Sequence, residues 1–290
     1  MKQILELLRQ RGYAPADARF ATGPRNRTGL ALMTPAGLLI TAKAFPDADG
    51  ERIFSNMQKL WQSSFGGRRQ PPGLLQPVEY LADEHVLILQ HLPGKRLVDL
   101  GRWGDKSFDD ALRLLAALHD SDAVPEMRRS SRGILRALGR KMESLAARTP
   151  ELAEPFRQVT AALETARRRD AELVPCHGSF SPRQIWVAPA GVLLTGWDRF
   201  QLAAPARDLA HLGAWAWVGA LRENKTPDWS LLERAVEIYH SARPAAGIEG
   251  QMPFHVAAAL MHLACRLADA RDDQVQLVPR VIAEALRQLH

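Results

Sequence analysis

The stretch from Val174 to Leu212 constrains the fold of this chain more than any other. A polar loop, His177 to Ser181, follows a short apolar segment, and two further apolar segments, IWVA and VLL, flank the turn Pro-Ala-Gly. Apolar segments separated by such a turn predict a β-hairpin. The hairpin leads to Trp197-Asp198 and then to a helical pattern that starts at Pro205. This order predicts an α+β chain that mixes strands with helices.

Residues 18–94 alternate apolar segments with turn residues, which predicts five strands and one long helix. The turn Pro35-Ala36-Gly37 would join two of the strands as a hairpin. The loop Gly23–Gly29 either covers phosphates with its backbone N–H groups or is a plain surface loop. The predicted strands are Arg19–Thr22, Leu30–Thr34, Leu38–Phe45, Gln76–Leu81 and His85–His91, and the predicted helices are a short one over residues 2–11 and a long one over 50–63.

From Ser107 onwards the apolar residues recur mostly with helical spacing. One helix is predicted to end near His119. Residues 130–170 predict two more helices, broken at Thr149-Pro150. The remaining predicted helices are Pro205–Arg222, Trp229–Ala242, Pro253–Arg271 and Val275–His290.

Charge and hydropathy limit the partners that this chain is expected to have. The 290 residues carry a net charge of +6. The arginines are spread along the chain without an aromatic-interleaved basic motif, so we expect no nucleic-acid partner. A basic surface would suit a phosphate-rich ligand. No apolar run reaches the roughly 18–20 residues that a membrane span needs, and no signal-peptide core is evident, so we expect a cytoplasmic protein without membrane contact.

Lys43 lies within a predicted apolar strand, where an unpaired ammonium would cost several kcal/mol. The following helix offers Glu51 in its first turn. A strand lysine followed by a helix glutamate is the pair that anchors nucleotide phosphates in kinases. A merely structural ion pair is the alternative reading.

The central stretch resembles the signature HGDxxxxN…IDWD…DPAxDLA of the aminoglycoside phosphotransferase and choline kinase-like family. The resemblance implies a protein kinase-like bilobal fold, with a small β-rich nucleotide-binding lobe over residues 1–94 and a larger helical lobe over residues 95–290. The catalytic and metal-binding region would be residues 174–212. ATP and Mg²⁺ are the implied cofactors, and a hydroxylated small molecule is the implied acceptor. In this family, residues corresponding to 130–170 help to line the acceptor site.

The resemblance also assigns roles to individual residues. Lys43 would bind the nucleotide phosphates with Glu51 as its partner, and the backbone around Gln90 and Leu92, where the strand meets Pro93-Gly94, would read adenine. His177 would hold the catalytic loop by hydrogen bonds, and Ser179 stands at the position of the catalytic aspartate. Asp208 would brace the loop from a helix start. Asp198 and Gln184 would bind magnesium.

Three positions depart from the signature. Ser179 replaces the catalytic aspartate, and a hydroxyl of high pKa cannot accept a proton as a carboxylate does. Gln184 replaces the usual asparagine but keeps the amide oxygen. Gly196 replaces the usual isoleucine before the Trp-Asp pair, which is expected to lose packing and no chemistry. Arg183 occupies the position where an acidic residue would be the nearest substitute for the missing aspartate.

Two functions follow from this pattern. One is ATP-dependent phosphoryl transfer to a small-molecule hydroxyl, weakened by Ser179. The other is an inactive pseudokinase that binds nucleotide or another ligand as a regulator or scaffold. No GxSxG elbow and no zinc motif supports an unrelated hydrolase or nucleic-acid module. The sequence leaves the acceptor and the oligomeric state open.

Overall fold

The computed structural model describes residues 6, 8–15, 21–22, 28–33, 39–45, 49–101, 105–244, 247–269 and 273–290. The predicted turn Pro35-Ala36-Gly37 lies outside these residues, as does most of the predicted loop Gly23–Gly29. Of the predicted N-terminal helix, residues 6 and 8–10 are helical. Every helix in the described part is too short or too polar to span a lipid bilayer.

The chain divides into two compact units. The first unit comprises Met1–Trp103, Ser121–Pro125 and Arg183–Asp198, and the second comprises Gly104–Asp120, Glu126–Pro182 and Arg199–His290. This division differs from the predicted boundary at residue 94, which left the whole central stretch in the helical part. The difference arises because the hairpin of the central stretch pairs with a strand of the first unit.

The strands largely confirm the predicted pattern. They are β1 (Ala14–Pro15), β2 (Ala21–Thr22), β3 (Thr28–Met33), β4 (Leu39–Ala44), β5 (Pro77–Leu81), β6 (Val86–Gln90), β7 (Lys95–Arg96), β8 (Val174–Cys176), β9 (Ile185–Ala188), β10 (Gly191–Leu194) and β11 (Gln201–Ala203). The main sheet of the first unit is antiparallel, in the order β1-β3-β4-β6-β5, with β2 paired to β3. The two-residue strands β1 and β7 were not predicted, because a segment that short carries no alternation of apolar and polar residues.

A second sheet of the first unit explains its unexpected composition. The hairpin β9–β10 extends through β7 in the antiparallel order β10-β9-β7, with Arg96 opposite Trp186. The N–H of Leu194 also donates to the carbonyl of Gly73 at 2.8 Å. Backbone hydrogen bonds therefore attach residues 183–198 to β7 and to the segment that precedes β5.

The long helix of the first unit, α1, spans Asp49–Gln62, close to the predicted 50–63. Its buried residues include Ile53, Met57 and Leu60, spaced so that they share one helix face. The short helix α2, Leu97–Leu100, ends at Gly101, whose φ of 63° is the left-handed conformation that favours glycine at this position.

The second unit is mostly helical, as predicted. Two of its helices begin at side-chain caps: Asp105 accepts from the N–H of Ser107 at 3.0 Å, and Ser130 accepts from that of Gly133 at 3.2 Å. The predicted break at Thr149-Pro150 is a short 3₁₀ turn. The helices are α3 (Lys106–His119), α4 (Ser131–Ala146), α5 (Ala153–Ala166), α6 (Ala206–Arg222), α7 (Ser230–Ala242), α8 (Met252–Asp269) and α9 (Val278–Arg287).

The two-stranded sheet β8–β11 positions the loop of the central stretch. The strands are antiparallel, with Cys176 opposite Gln201 and Val174 opposite Ala203. Because β8 ends at Cys176, the loop starts at His177. The start of α6 follows β11 within a few residues, which brings Asp208 beneath that loop.

Candidate active site

Lys43 and Asp198 meet in the first unit although 155 residues separate them in the sequence. Lys43 projects from β4, and its Nζ donates to Oδ1 of Asp198 at 3.3 Å. The two side chains are 26% and 29% exposed, so both retain access to solvent. Trp197 fixes the neighbouring backbone, since its buried indole N–H donates to the carbonyl of Leu194 at 3.2 Å.

The predicted ion pair between Lys43 and Glu51 is not formed. Glu51 is exposed in the first turn of α1, whereas Lys43 contacts Asp198 and lies 5.0 Å from the ring centre of Phe45. The lysine had two possible carboxylates, and the hairpin that joins the first unit supplies the one it contacts. Spacing along the sequence could not reveal this, because Asp198 reaches the strand only through that hairpin.

Gln184, the second predicted magnesium ligand, contacts Thr195 and packs on Gly196 in the first unit. Its Oε1 accepts from the hydroxyl of Thr195 at 3.3 Å. A Cβ added to Gly196 would lie 2.5 Å from Cδ and 2.8 Å from Nε2 of Gln184. Gly196 also has a φ of 79°, in the left-handed region. From the sequence, this glycine was expected only to lose packing. In the structure, the absence of a Cβ at Gly196 leaves the space that the longer Gln184 side chain fills.

This contact makes Gly196 a sensitive position. We expect Gly196→Ala to lower the free energy of unfolding by about 1–2 kcal/mol: about 1 kcal/mol for the backbone conformation, and up to about 1 kcal/mol because the end of the Gln184 side chain must move away from its bond with Thr195. Chemical denaturation measures the loss. Gly101→Ala is the matched control, because Gly101 has a φ of 63° with nothing within 4 Å of an added Cβ.

The Gly101→Ala control should lower the free energy of unfolding only by the contribution of the backbone conformation. Adding Gln184→Ala to Gly196→Ala should recover most of the remaining loss, because it removes the atoms that clash. Equal losses for Gly196→Ala and Gly101→Ala would contradict the proposed contact.

In the second unit, Asp208 holds the backbone of the loop. Its Oδ2 accepts from the N–H of His177 and its Oδ1 from that of Gly178, both at 2.7 Å. The buried His119 lies 3.2 Å from Oδ2 through Nε2, and its Nδ1 lies 2.7 Å from the hydroxyl of Tyr239. Burial alone would raise the pKa of Asp208. The hydrogen bond and charge of His119, the charge of His177 and the N–H of Gly178 outweigh burial and bring that pKa below its ordinary value.

Ser179 is half-buried at the predicted catalytic position. Its N–H donates to Nδ1 of the fully buried His177 at 3.3 Å, and its Oγ lies 3.4 Å from the same nitrogen. One imidazole nitrogen therefore faces both the backbone and the hydroxyl of Ser179. This contact orients the loop, but it places no carboxylate where an acceptor hydroxyl would need one.

The segment predicted to read adenine already makes hydrogen bonds within the first unit. The N–H of Gln90 donates to the carbonyl of Gln76 at 2.9 Å. The carbonyl of Leu92 accepts from the indole N–H of Trp186 at 3.2 Å. Gly94 lies against the same indole, and a Cβ added to Gly94 would lie 2.5 Å from Nε1 of Trp186. Trp186 was not recognised as a site residue from the sequence.

The second unit also contains a cavity that sequence reasoning missed. Gly178 of the loop lines it, together with residues of α4, α6 and α8. Arg207 and His211 are one turn apart on α6, and His255 and His262 are two turns apart on α8. That spacing was the available signal, because it places polar side chains on single faces of otherwise apolar helices.

The fold is the protein kinase-like α+β fold, with a small β-rich N-terminal part and a larger helical C-terminal part, as predicted. No protein-family model matches the chain, and no curated protein sequence matches it. The resemblance inferred from the central stretch is confirmed at the level of three-dimensional structure, where the similar proteins include aminoglycoside and macrolide phosphotransferases and choline or ethanolamine kinases.

Three solved structures illustrate this similarity. A thermostable mutant of aminoglycoside phosphotransferase APH(4)-Ia, in complex with ADP and hygromycin B, has a TM-score of 0.71 and 11% identity, covering 98% of this chain and 97% of that chain. Choline kinase LicA from Streptococcus pneumoniae has a TM-score of 0.63 and 13% identity over 99% and 98% of the two chains. Macrolide 2′-phosphotransferase MphH from Brachybacterium faecium has a TM-score of 0.61 and 16% identity over 97% and 98%. At such identities the likeness establishes the fold alone.

Proposed function

We propose that this protein transfers a phosphoryl group from ATP, with magnesium, to a hydroxyl of a small molecule. The observation that carries this proposal is the contact of Lys43 with Asp198 at 3.3 Å. It joins a strand cation to the carboxylate that follows the hairpin, which is the cation and metal-ligand pair that phosphoryl transfer needs. The similar structures with ADP support the use of a nucleotide.

The donor atoms fit magnesium. Asp198 offers a partly exposed carboxylate, and Oε1 of Gln184 retains a lone pair beside its bond from Thr195. Hard oxygen ligands of this kind suit Mg²⁺, which usually keeps several waters and takes one or two carboxylates plus substrate phosphates. When bound, the ion would neutralise charge on the β- and γ-phosphates.

The chain itself would supply positioning. Lys43 would place a positive charge at the phosphates. Asp208 would keep the loop backbone fixed through its bonds to His177 and Gly178. Ser179 could donate or accept one hydrogen bond to the acceptor hydroxyl but would take no proton. Glu51 is exposed, so its carboxylate would contribute only by contacting a ligand that binds from solvent.

Ser179 favours a second candidate function, a pseudokinase that binds nucleotide or another ligand without transfer. General-base assistance contributes roughly 10²–10⁴-fold to the rate. Transfer that is largely dissociative depends more on metal and phosphate contacts, so weak activity is compatible with the serine. A weakly active phosphotransferase and a nucleotide-binding pseudokinase would use the same residues to bind MgATP, namely Lys43, Asp198 and Gln184.

Binding of MgATP is the first test. MgATP should raise the melting temperature, because a ligand at 100 times its Kd stabilises a folded protein by about 2.7 kcal/mol, or roughly 5–10 °C for a chain of this size. Asp198→Ala should abolish the shift. Asp83→Ala, which removes an exposed carboxylate of the same unit, is the control and should retain it. The absence of a shift at millimolar MgATP would reject phosphoryl transfer from ATP and nucleotide binding alike, and would leave only a pseudokinase that binds another ligand.

A further inference from the structure

A cavity of about 280 Å³ lies wholly within the second unit. None of the residues proposed to bind the nucleotide and magnesium lines it. One side is apolar and includes Ile134, Leu138 and Ala258. Gly178, the residue before Ser179, forms part of its wall. The cavity therefore adjoins the loop that carries the predicted catalytic position.

The polar side of the cavity carries positive charge. Arg129, Lys141, Arg199 and Arg207 line it, and none of the described residues that line it is an aspartate or glutamate. Arg199 donates through Nη1 to Nε2 of His262 at 2.9 Å, which is a neutral acceptor. The carboxylate of Asp208 acts electrostatically on Arg207 but does not line the cavity. An anion in the cavity would therefore meet a lining whose described charged groups are all positive.

Three buried polar atoms at the cavity support the same conclusion. Nη1 of Arg207, Nε2 of Gln201 and Nε2 of His255 make no hydrogen bond within the part of the chain that the structure describes. All three residues line the cavity. Gln201 is 1% exposed and His255 is 3% exposed. Buried donors are nearly always paired in folded proteins, so these atoms point to a ligand that offers several acceptor oxygens.

The histidines contribute hydrogen bonds rather than charge. Burial, followed by the charge of Arg207, lowers the pKa of His255 to about 4, with Asp170 acting in the opposite direction. Burial and the charge of Arg199 lower the pKa of His211 to about 3. Both rings are therefore neutral at pH 7, and the positive charge at the cavity comes from the arginines and the lysine.

We propose that this cavity binds the acceptor, and that the acceptor is a small hydroxylated anion whose carboxylate or phosphate meets Arg207 and Lys141. The assignment as acceptor rests on the proposed function, whereas the anion selectivity rests on the cavity itself. Guanidinium groups bind carboxylate and phosphate through paired, charge-assisted hydrogen bonds. A cationic acceptor such as ethanolamine would meet four like charges, so this site should exclude it.

The test uses four small compounds that share a short hydroxylated or amino skeleton. Glycerate and glycerol 3-phosphate carry the two anionic groups, glycerol is the neutral counterpart, and ethanolamine is the cationic one. Their binding to the full chain is measured by calorimetry without ATP or magnesium. We expect both anions to bind at least tenfold more tightly than glycerol, and ethanolamine not to bind.

Three variants locate the site. Arg207→Gln and Lys141→Gln should each weaken anion binding at least tenfold, since each removes a charged hydrogen-bond donor. Lys141 is only half-buried, so its variant remains informative if Arg207→Gln fails to fold. Arg140→Gln is the matched control, because Arg140 is exposed on the same helix and does not line the cavity. It should bind the anions as the unmodified chain does.

Two results would overturn the proposal. One is binding of glycerol or ethanolamine as tight as that of the anions. The other is anion binding that Lys141→Gln and Arg207→Gln leave unchanged, which would place the anions elsewhere, for example at Lys43. Because these measurements omit MgATP, their failure is distinguishable from failure of the proposed function. The melting-temperature shift with MgATP and its loss in Asp198→Ala would stand independently.

Discussion

Replacing Ser179 by aspartate is expected to raise ATP turnover in the presence of an acceptor by about 10²–10⁴-fold, the range that a positioned general base contributes. Asp208 already fixes the loop through the N–H groups of His177 and Gly178, so a carboxylate at residue 179 would enter a loop of defined conformation. The measurement is ADP formation with a panel of hydroxylated compounds that includes glycerate and glycerol 3-phosphate.

Ser179→Asn is the matched control for this experiment. Asparagine has nearly the size of aspartate but cannot accept a proton at neutral pH, so its rate should stay near that of the unmodified chain. If Ser179→Asp folds normally and turns over ATP no faster than Ser179→Asn, the missing carboxylate does not limit the reaction. The pseudokinase function would then be favoured.

Replacing Asp208 by alanine is expected to lower the free energy of unfolding by about 3–5 kcal/mol, the usual loss when one member of a buried, hydrogen-bonded pair is removed. The variant leaves two buried backbone N–H groups and His119 without their acceptor, and each unpaired buried group costs about 1–3 kcal/mol. Urea or guanidinium unfolding measures the loss.

Asp269→Ala is the control for the Asp208 experiment. Asp269 pairs with Arg148 at 2.7 Å, but its side chain is 47% exposed, and an exposed pair contributes at most about 1 kcal/mol. Similar losses for the two variants would contradict the role of Asp208 in holding the loop.

The pH dependence of stability provides a separate check on Asp208. Its folded pKa lies below the ordinary value of 3.8, so its contribution is complete above that value and is lost as the pH falls through the folded pKa. The Asp208→Ala variant should lack this acid-dependent component. An unchanged acid dependence would show that other carboxylates account for it.

The regular elements were predictable because periodicity reports which face of a segment is buried. Ile53, Met57 and Leu60 have a spacing that only a helix places on one face, and α1 lies within a residue of its predicted range at each end. The resemblance in the central stretch led to the kinase-like fold, because it rests on the order of loop, hairpin, aspartate and helix rather than on overall sequence identity. Boundaries set by long-range pairing were harder to predict, as the division at residue 94 illustrates.

The candidate site was predictable in its residues more than in its contacts. Lys43 and Asp198 were both identified, but spacing favoured Glu51 as the partner of the lysine. The cationic cavity was missed, since Arg207 with His211 and His255 with His262 mark one face on each of two separate helices. The spacing within each helix was visible, but only the packing of α6 against α8 shows that the two faces meet at one cavity, and helix packing has no local signal in the sequence.

The contact between Gln184 and Gly196 limits the order in which this site can change. A side chain larger than glycine at residue 196 would displace the end of the Gln184 side chain, whereas a shorter side chain at residue 184 would first make room for it. A mutational path away from this pair is therefore less costly when Gln184 changes before Gly196. We expect the reverse order to pass through a less stable intermediate, so substitutions at these two residues should be energetically coupled.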